Sequence, residues 1–232
     1  MPEPTTLLIT GSSRGIGKEM AAHYTNAGSR VIGCSRGPAS IVNPLYEHFQ
    51  LDVGAEEEVA ELFRELRQRE EPLYAVLNNA GIASMNHAIL TPASSVQKVL
   101  STNLMGTFLF CREAAKLMRN RGGRIVNFTS IAVPLNLPGE AIYSASKSAV
   151  ESLTRILARE FAPFSITVNA LGPNPIPTDL ISGVPESKME SLLERQAIPR
   201  YGTVDDVVNV VDFFRNPGSN MIASQILYLG GV

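Results

Sequence analysis

No apolar run in this 232-residue chain approaches the length needed to cross a bilayer, so no membrane span is expected. Cysteine is nearly missing. Cys34 and Cys111 form no metal-ligand spacing. One falls in a strand-like segment and the other in a helix-like one. They are expected as buried thiols of a reducing compartment, with the cytoplasm as the default. Histidine is equally sparse, and His23, His48 and His87 are read as packing or solvent residues, with no metal site. Excess charge of one sign is missing too. Twenty basic against 22 acidic residues leave a net charge of −2, which argues against a general nucleic-acid binder. Met1-Pro2-Glu3-Pro4 lacks the basic start of a signal peptide and leads straight into a strand pattern. There is no repeat, low-complexity tract or linker, so residues 1–232 are expected to form a single domain.

What is present is a globular composition, 44% hydrophobic and 18% charged. Leu7 to Ile9, Val31-Ile32, Phe49 to Leu51, Leu73 to Leu77, Ile125 to Phe128, Ile166 to Val168 and Ile226 to Leu229 read as seven short buried strands. Between them Ile16 to Ala27, Glu56 to Arg69, Thr107 to Met118, Tyr143 to Phe161 and Asp205 to Phe214 read as helices. This alternation predicts an α/β fold, a doubly wound parallel sheet with helices on both faces. Two places break the pattern. Pro38 and Pro44 interrupt the crossover between Arg36 and Leu51, predicting a loop or an abbreviated helix. Five prolines between Leu171 and Pro199 predict a long excursion, either a binding loop or lid, or a loop merely stiffened by proline.

Four separated motifs fit one chemical purpose. Gly11, Gly15 and Gly17 follow a strand and open a helix, where backbone N–H groups can approach a pyrophosphate. Asn78-Asn79-Ala80-Gly81 follows the fourth strand, and Ser130 ends the fifth. Tyr143 and Lys147 lie four apart in a stretch free of Gly and Pro, hence on one helix face. An ammonium beside a phenol favours the phenolate and lowers its pKa from about 10. Where a carboxylate would exclude a ribose 2′-phosphate, the chain has Ser35 followed by Arg36, with Arg14 in the glycine turn. Two converging guanidiniums would favour a phosphate there. The alternative is that both are solvated surface charges.

In their order and separations these motifs resemble the short-chain dehydrogenase/reductase family, from about Thr6 to Gly231. The resemblance implies a Rossmann-like fold and NADP(H), held by Gly11, Ser12, Ser13, Arg14, Gly15, Ile16 and Gly17, by Ser35 and Arg36, and by Asp52 and Val53 at the adenine. Asp52 alternatively caps the helix that follows. Asn79, Ala80 and Gly81 would border the adenosine ribose, and Asn78 would secure the sheet by backbone bonding. Ile176 would present backbone groups to the carboxamide, with Thr178 further along. The same likeness makes Tyr143 the proton donor and Ser130, thirteen residues earlier, the donor to the substrate oxygen. Thr129 is expected to point the other way. Lys147 would hold the nicotinamide ribose, and Asn103 a water behind it.

Asn174 stands where relatives usually have glycine, and its tolerance of left-handed angles is expected to preserve the turn. Ile131, Ala132, Val133, Pro134, Leu135 and Leu137 suggest an apolar wall. The chain looks most like the 3-oxoacyl-carrier-protein reductase branch, implying a 3-oxoacyl thioester and an acyl carrier protein as partner. Lys116, Arg119, Arg121 and Arg124 could form its docking edge, or simply stabilise a helix end. Phe164 and Ser165, where carrier-serving relatives often have a basic residue, count against it. The rivals are an NAD-dependent secondary-alcohol dehydrogenase and a catalytically idle nucleotide-binding scaffold. Assembly as a homodimer or homotetramer is expected.

Overall fold

The computed structural model describes residues 6–179, 181 and 183–232. In chain order the elements are β1 (Thr6–Thr10), α1 (Gly15–Asn26), β2 (Arg30–Ser35), β3 (Tyr46–Gln50), α2 (Glu56–Gln68), β4 (Leu73–Asn78), α3 (Ala93–Leu100), α4 (Gly106–Met118), β5 (Gly123–Phe128), α5 (Ala132–Leu135), α6 (Ala141–Phe161), β6 (Ile166–Gly172), α7 (Glu186–Glu194), α8 (Val204–Arg215) and β7 (Ile226–Tyr228). The strands form one sheet in the order β3-β2-β1-β4-β5-β6-β7, every pairing parallel.

Alternation along β1 shows how the sheet is buried on both sides. Leu8 packs with Val59, Leu62, Phe63 and Leu66 of α2 and with Leu109 and Phe110 of α4. Leu7 and Ile9 face the other way, onto Met20 and Tyr24 of α1 and Val207, Val211 and Phe214 of α8. The expected Rossmann-like doubly wound sheet is therefore present. The link from β2 to β3 contains no helix, as Pro38 and Pro44 foretold.

The helices α3, α7 and the one-turn α5 go beyond the sequence reading. The helix expected from Thr107 begins at Ala93, and a π-helical turn over Ser101–Met105 joins α3 to α4. The proline-rich excursion holds α7, whose buried residue is Met189 alone. Asn174 also departs from expectation. It is not among the residues with positive φ, so it does not serve the turn through a left-handed backbone. Instead its buried amide donates to Gln196 Oε1 and the Arg200 carbonyl, both at 3.0 Å, and ties β6 to the segment after α7.

Candidate active site

A cleft of about 700 Å³ opens where strand C-termini meet helix N-termini, the usual ligand position in such sheets. Gly11, Ser13, Arg14, Gly15 and Ile16 line one side, with Ser35 and Arg36 after β2, Asp52 and Val53 after β3, and Asn79, Ala80 and Gly81 after β4. Gly11 and Gly15 have φ of +72° and +54°, conformations that favour glycine. A Cβ on Gly11 would lie 2.9 Å from the Ala80 backbone, so the turn can form only without one. Its dimensions, glycine-built floor and basic rim fit a dinucleotide. Asp52 accepts from the Gly54 N–H at 2.9 Å but does not cap α2, whose N-cap is Ala55.

Not every expected cofactor residue lines that cleft. Ser12 is fully buried, its hydroxyl 2.9 Å from that of Tyr46. Gly17 packs against the turn, where a Cβ would meet the Gly11 carbonyl at 2.3 Å. Asn79 donates to the Thr10 carbonyl at 3.0 Å and pins β4 to the glycine turn. Asn78, expected to act through its backbone, instead uses its side chain, donating to Asn127 Oδ1 at 2.8 Å and to the Cys111 sulfur at 3.3 Å. Cys34 and Cys111 are free and buried, and burial raises both thiol pKa values, that of Cys111 to about 12. Among the described residues no group of His, Cys, Asp or Glu could hold a metal.

A second cleft of about 160 Å³ adjoins the first, sharing Ile16, Asn79, Gly81, Ala83 and Thr178. Ser130, Tyr143, Lys147 and Ile176 line it, along with Ile131, Ala132 and Leu137 and, from the excursion, Ile181, Val184, Met189 and Leu192. Val133, Pro134 and Leu135 of the expected wall do not. Thr129 turns away as expected and donates to Glu151 Oε1 at 2.7 Å. Glu151, one turn beyond Lys147 on α6, also accepts from the Tyr228 hydroxyl of β7. Gly172 leaves room for that ring, since a Cβ there would sit 2.4 Å from it.

The electrostatics differ from the sequence reading. Lys147 donates to the Phe128 carbonyl at 2.8 Å, and its ammonium lies 5.9 Å from the Tyr143 ring centroid. Burial pushes the Tyr143 phenol up to about 12; a hydrogen bond with Ser130 lowers it and the charge of Glu140 raises it. Burial also lowers Lys147 to about 8. Desolvation disfavours the charged form of each and is the largest cause of both shifts. Asn103 is fully buried in the π-helical turn, accepting from the Ile82 N–H and donating to its carbonyl, both at 2.9 Å, and donating to Ser146 at 3.0 Å. A Cβ on Gly81 would lie 3.3 Å from Lys147 Nζ and 3.5 Å from Asn103 Oδ1, so both polar groups converge on that glycine.

Glu140 escaped the sequence reading. It lines the second cleft just before α6, burial raises its pKa, and among the described residues its carboxylate makes no hydrogen bond or ion pair. An acidic residue at a helix start reads as ordinary dipole stabilisation, which hides it. The basic edge is also thinner than expected. Arg124 is buried with its guanidinium over the Tyr74 ring, and Lys116 is bonded to Glu113 at 2.7 Å. Arg119 and Arg121 remain exposed, at the end of β5 opposite Ser130, roughly 20 Å away at about 3.3 Å per strand residue.

Comparisons agree with this geometry. A family profile described as enoyl-(acyl carrier protein) reductase matches residues 11–231. A short-chain type dehydrogenase/reductase of Picea abies is 33% identical, over 97% of this chain and 90% of its own length. The 3-oxoacyl-[acyl-carrier-protein] reductase FabG of Staphylococcus epidermidis is 30% identical, over 97% and 96%. Among solved structures, ElxO with NADP bound superposes with a TM-score of 0.88 at 30% identity, over 97% of each chain. A 4-hydroxyisoleucine dehydrogenase complexed with NADH gives 0.88 at 26%, over 98% and 97%. With this sheet, this pair of adjoining clefts and relatives matched along nearly the whole length, the chain belongs to the short-chain dehydrogenase/reductase family, whose members are oxidoreductases using a nicotinamide dinucleotide.

Proposed function

We propose that the chain is an NADPH-dependent carbonyl reductase. The observation that carries this reading is the position of Tyr143, which lines an apolar pocket together with Ser130 and Lys147 where that pocket adjoins a dinucleotide-sized cleft. Ser35, Arg36 and Arg14 support NADPH, since the end of β2 carries Ser35 rather than a carboxylate that would repel a 2′-phosphate. Arg14 lies 3.9 Å from Asp179, but both side chains are largely exposed and the pair holds the guanidinium only weakly. Asp52, Asn79, Ile176 and Thr178 would hold the rest of the dinucleotide, and Lys147 its nicotinamide ribose. When bound, the cofactor supplies hydride to the carbonyl carbon. Tyr143 gives the phenolic proton to the carbonyl oxygen, and Ser130 donates a hydrogen bond to it as charge develops. Lys147 offsets the charge left on the phenolate, and Asn103 fixes the backbone around it.

For the substrate, 3-oxoacyl thioesters linked to coenzyme A or a carrier protein come first, supported by the apolar wall and the reductase relatives. Carrier docking would fall to Arg119 and Arg121. A second reading rests on Glu140, whose unpaired carboxylate suits a substrate bearing a hydroxyl near its carbonyl. The two buried, unpaired thiols support a cytoplasmic location. Among the described residues no helix is long and apolar enough to cross a membrane. The test is loss of reduced-nicotinamide absorbance with 3-oxoacyl thioesters, simple ketones and hydroxyketones, NADPH against NADH. Turnover of a ketone with NADPH favoured is expected. Binding of NADPH with reduction of none would support the idle-scaffold rival instead.

A further inference from the structure

Beneath the Ser35 end of the cleft a continuous polar chain runs from Ser12 through Tyr46 and His48 to Ser35 and the Gly37 carbonyl. Ser12 and Tyr46 hydroxyls are 2.9 Å apart, Tyr46 lies 2.7 Å from His48 Nδ1, and His48 Nε2 lies 2.9 Å from the Gly37 carbonyl and 3.2 Å from the Ser35 hydroxyl. The direction of the bonds follows by elimination. A carbonyl only accepts, so Nε2 carries a hydrogen. In the neutral imidazole Nδ1 then accepts from Tyr46, and the Tyr46 oxygen accepts from Ser12. Ser35 adds its own donation to the Gly37 carbonyl at 3.0 Å.

Two successive carbonyls of the segment after β2 are thus held from below by alternate residues of β3. His48 takes Gly37, and Gln50 Nε2 donates to Arg36 at 2.9 Å. Ser35, Arg36 and Gly37 line the cleft, while His48 and Gln50 do not. Both carbonyl oxygens are therefore drawn off the cleft, and an anion there is spared two partial negative charges. Gly33 makes the arrangement possible, because a Cβ would stand 2.2 Å from the Tyr46 hydroxyl and 2.4 Å from that of Ser12.

We infer that His48 is a positioning residue for the adenosine 2′-phosphate: through the Gly37 carbonyl it presets the Ser35–Gly37 segment, with Ser12 and Tyr46 completing the chain. The inference rests on the NADPH reading. It can be tested apart from activity, by titrating adenosine 2′,5′-bisphosphate and AMP into the purified protein by calorimetry. His48→Phe keeps a ring and loses the donor. It should weaken bisphosphate binding about tenfold, the upper end for the loss of one ordinary hydrogen bond, and AMP less than about twofold. His48→Gln, which returns an N–H near Nε2, should recover most of the loss. Gln50→Leu should shift the preference in the same direction, and supplies the test if His48→Phe fails to fold. If wild type prefers the bisphosphate and these variants keep that preference, the inference fails alone. Equal wild-type affinities would overturn the NADPH reading and the inference with it.

Discussion

Tyr143 holds its proton more tightly than its neighbour Lys147 would suggest, and the consequence is directional. With burial raising the phenol to about 12, the acid form prevails at neutral pH, which is the form that donates to a carbonyl. Tyr143→Phe should lower ketone reduction by about 10²–10⁴-fold with cofactor affinity nearly unchanged, as single-turnover and binding measurements would show. In the reverse direction the phenolate is needed, so alcohol oxidation rises as pH approaches the phenol's pKa. Glu140 raises that pKa, so Glu140→Gln must lower it and move the rise in oxidation rate to lower pH. An unshifted pH profile would contradict the role given to Glu140. The four-residue spacing of Tyr143 and Lys147 was legible in the sequence. The sign of the phenol's shift was not, because burial comes from packing that no local string records.

At the scale of elements, legibility followed the number of buried positions. The helix α2 announces itself through Val59, Leu62, Phe63 and Leu66, a regular apolar stripe. The helices α3 and α7 each bury one residue, Val99 and Met189, so their patterns are too faint to separate from loop. Pro38 and Pro44 made the helix-free crossover readable, whereas the π-helical turn at Ser101–Met105 leaves no mark in composition. That turn places the Asn103 side chain across Ile82, satisfying both its backbone groups. Asn103→Ala should strand those groups at a cost of about 1–3 kcal/mol. A melting temperature lower by several degrees, about 2–4 °C per kcal/mol, and faster amide exchange at Ile82 are expected. Exchange at wild-type rate would show that the turn is held by something else.

For the whole molecule, the outward faces of α4 and α6 matter most. The buried side of α6 holds Tyr143, Lys147 and Val150, yet Ile156 on the same helix is 52% exposed. Met105 and Phe108 near the start of α4, and Phe164 just after α6, are exposed as well. Apolar residues at these places fit the homodimer or homotetramer expected of the chain, with α4 and α6 at the contact. Light scattering at micromolar concentration should give a multiple of 25.0 kDa, and Ile156→Glu should shift it towards the monomer. A monomeric wild type would exclude this assembly.

The bonds from Thr129 and Tyr228 to Glu151 carry a consequence for the order in which the site matures. Every residue assigned to the chemistry has been synthesised once Thr178 is in place. Thr129 ties the Ser130 strand end to the Lys147 helix, but the second bond to Glu151, from β7, closes only after Tyr228 follows. A nascent chain therefore holds every group assigned to the chemistry before β7 can add its bond to Glu151, the last of the ties around the Lys147 helix to be synthesised.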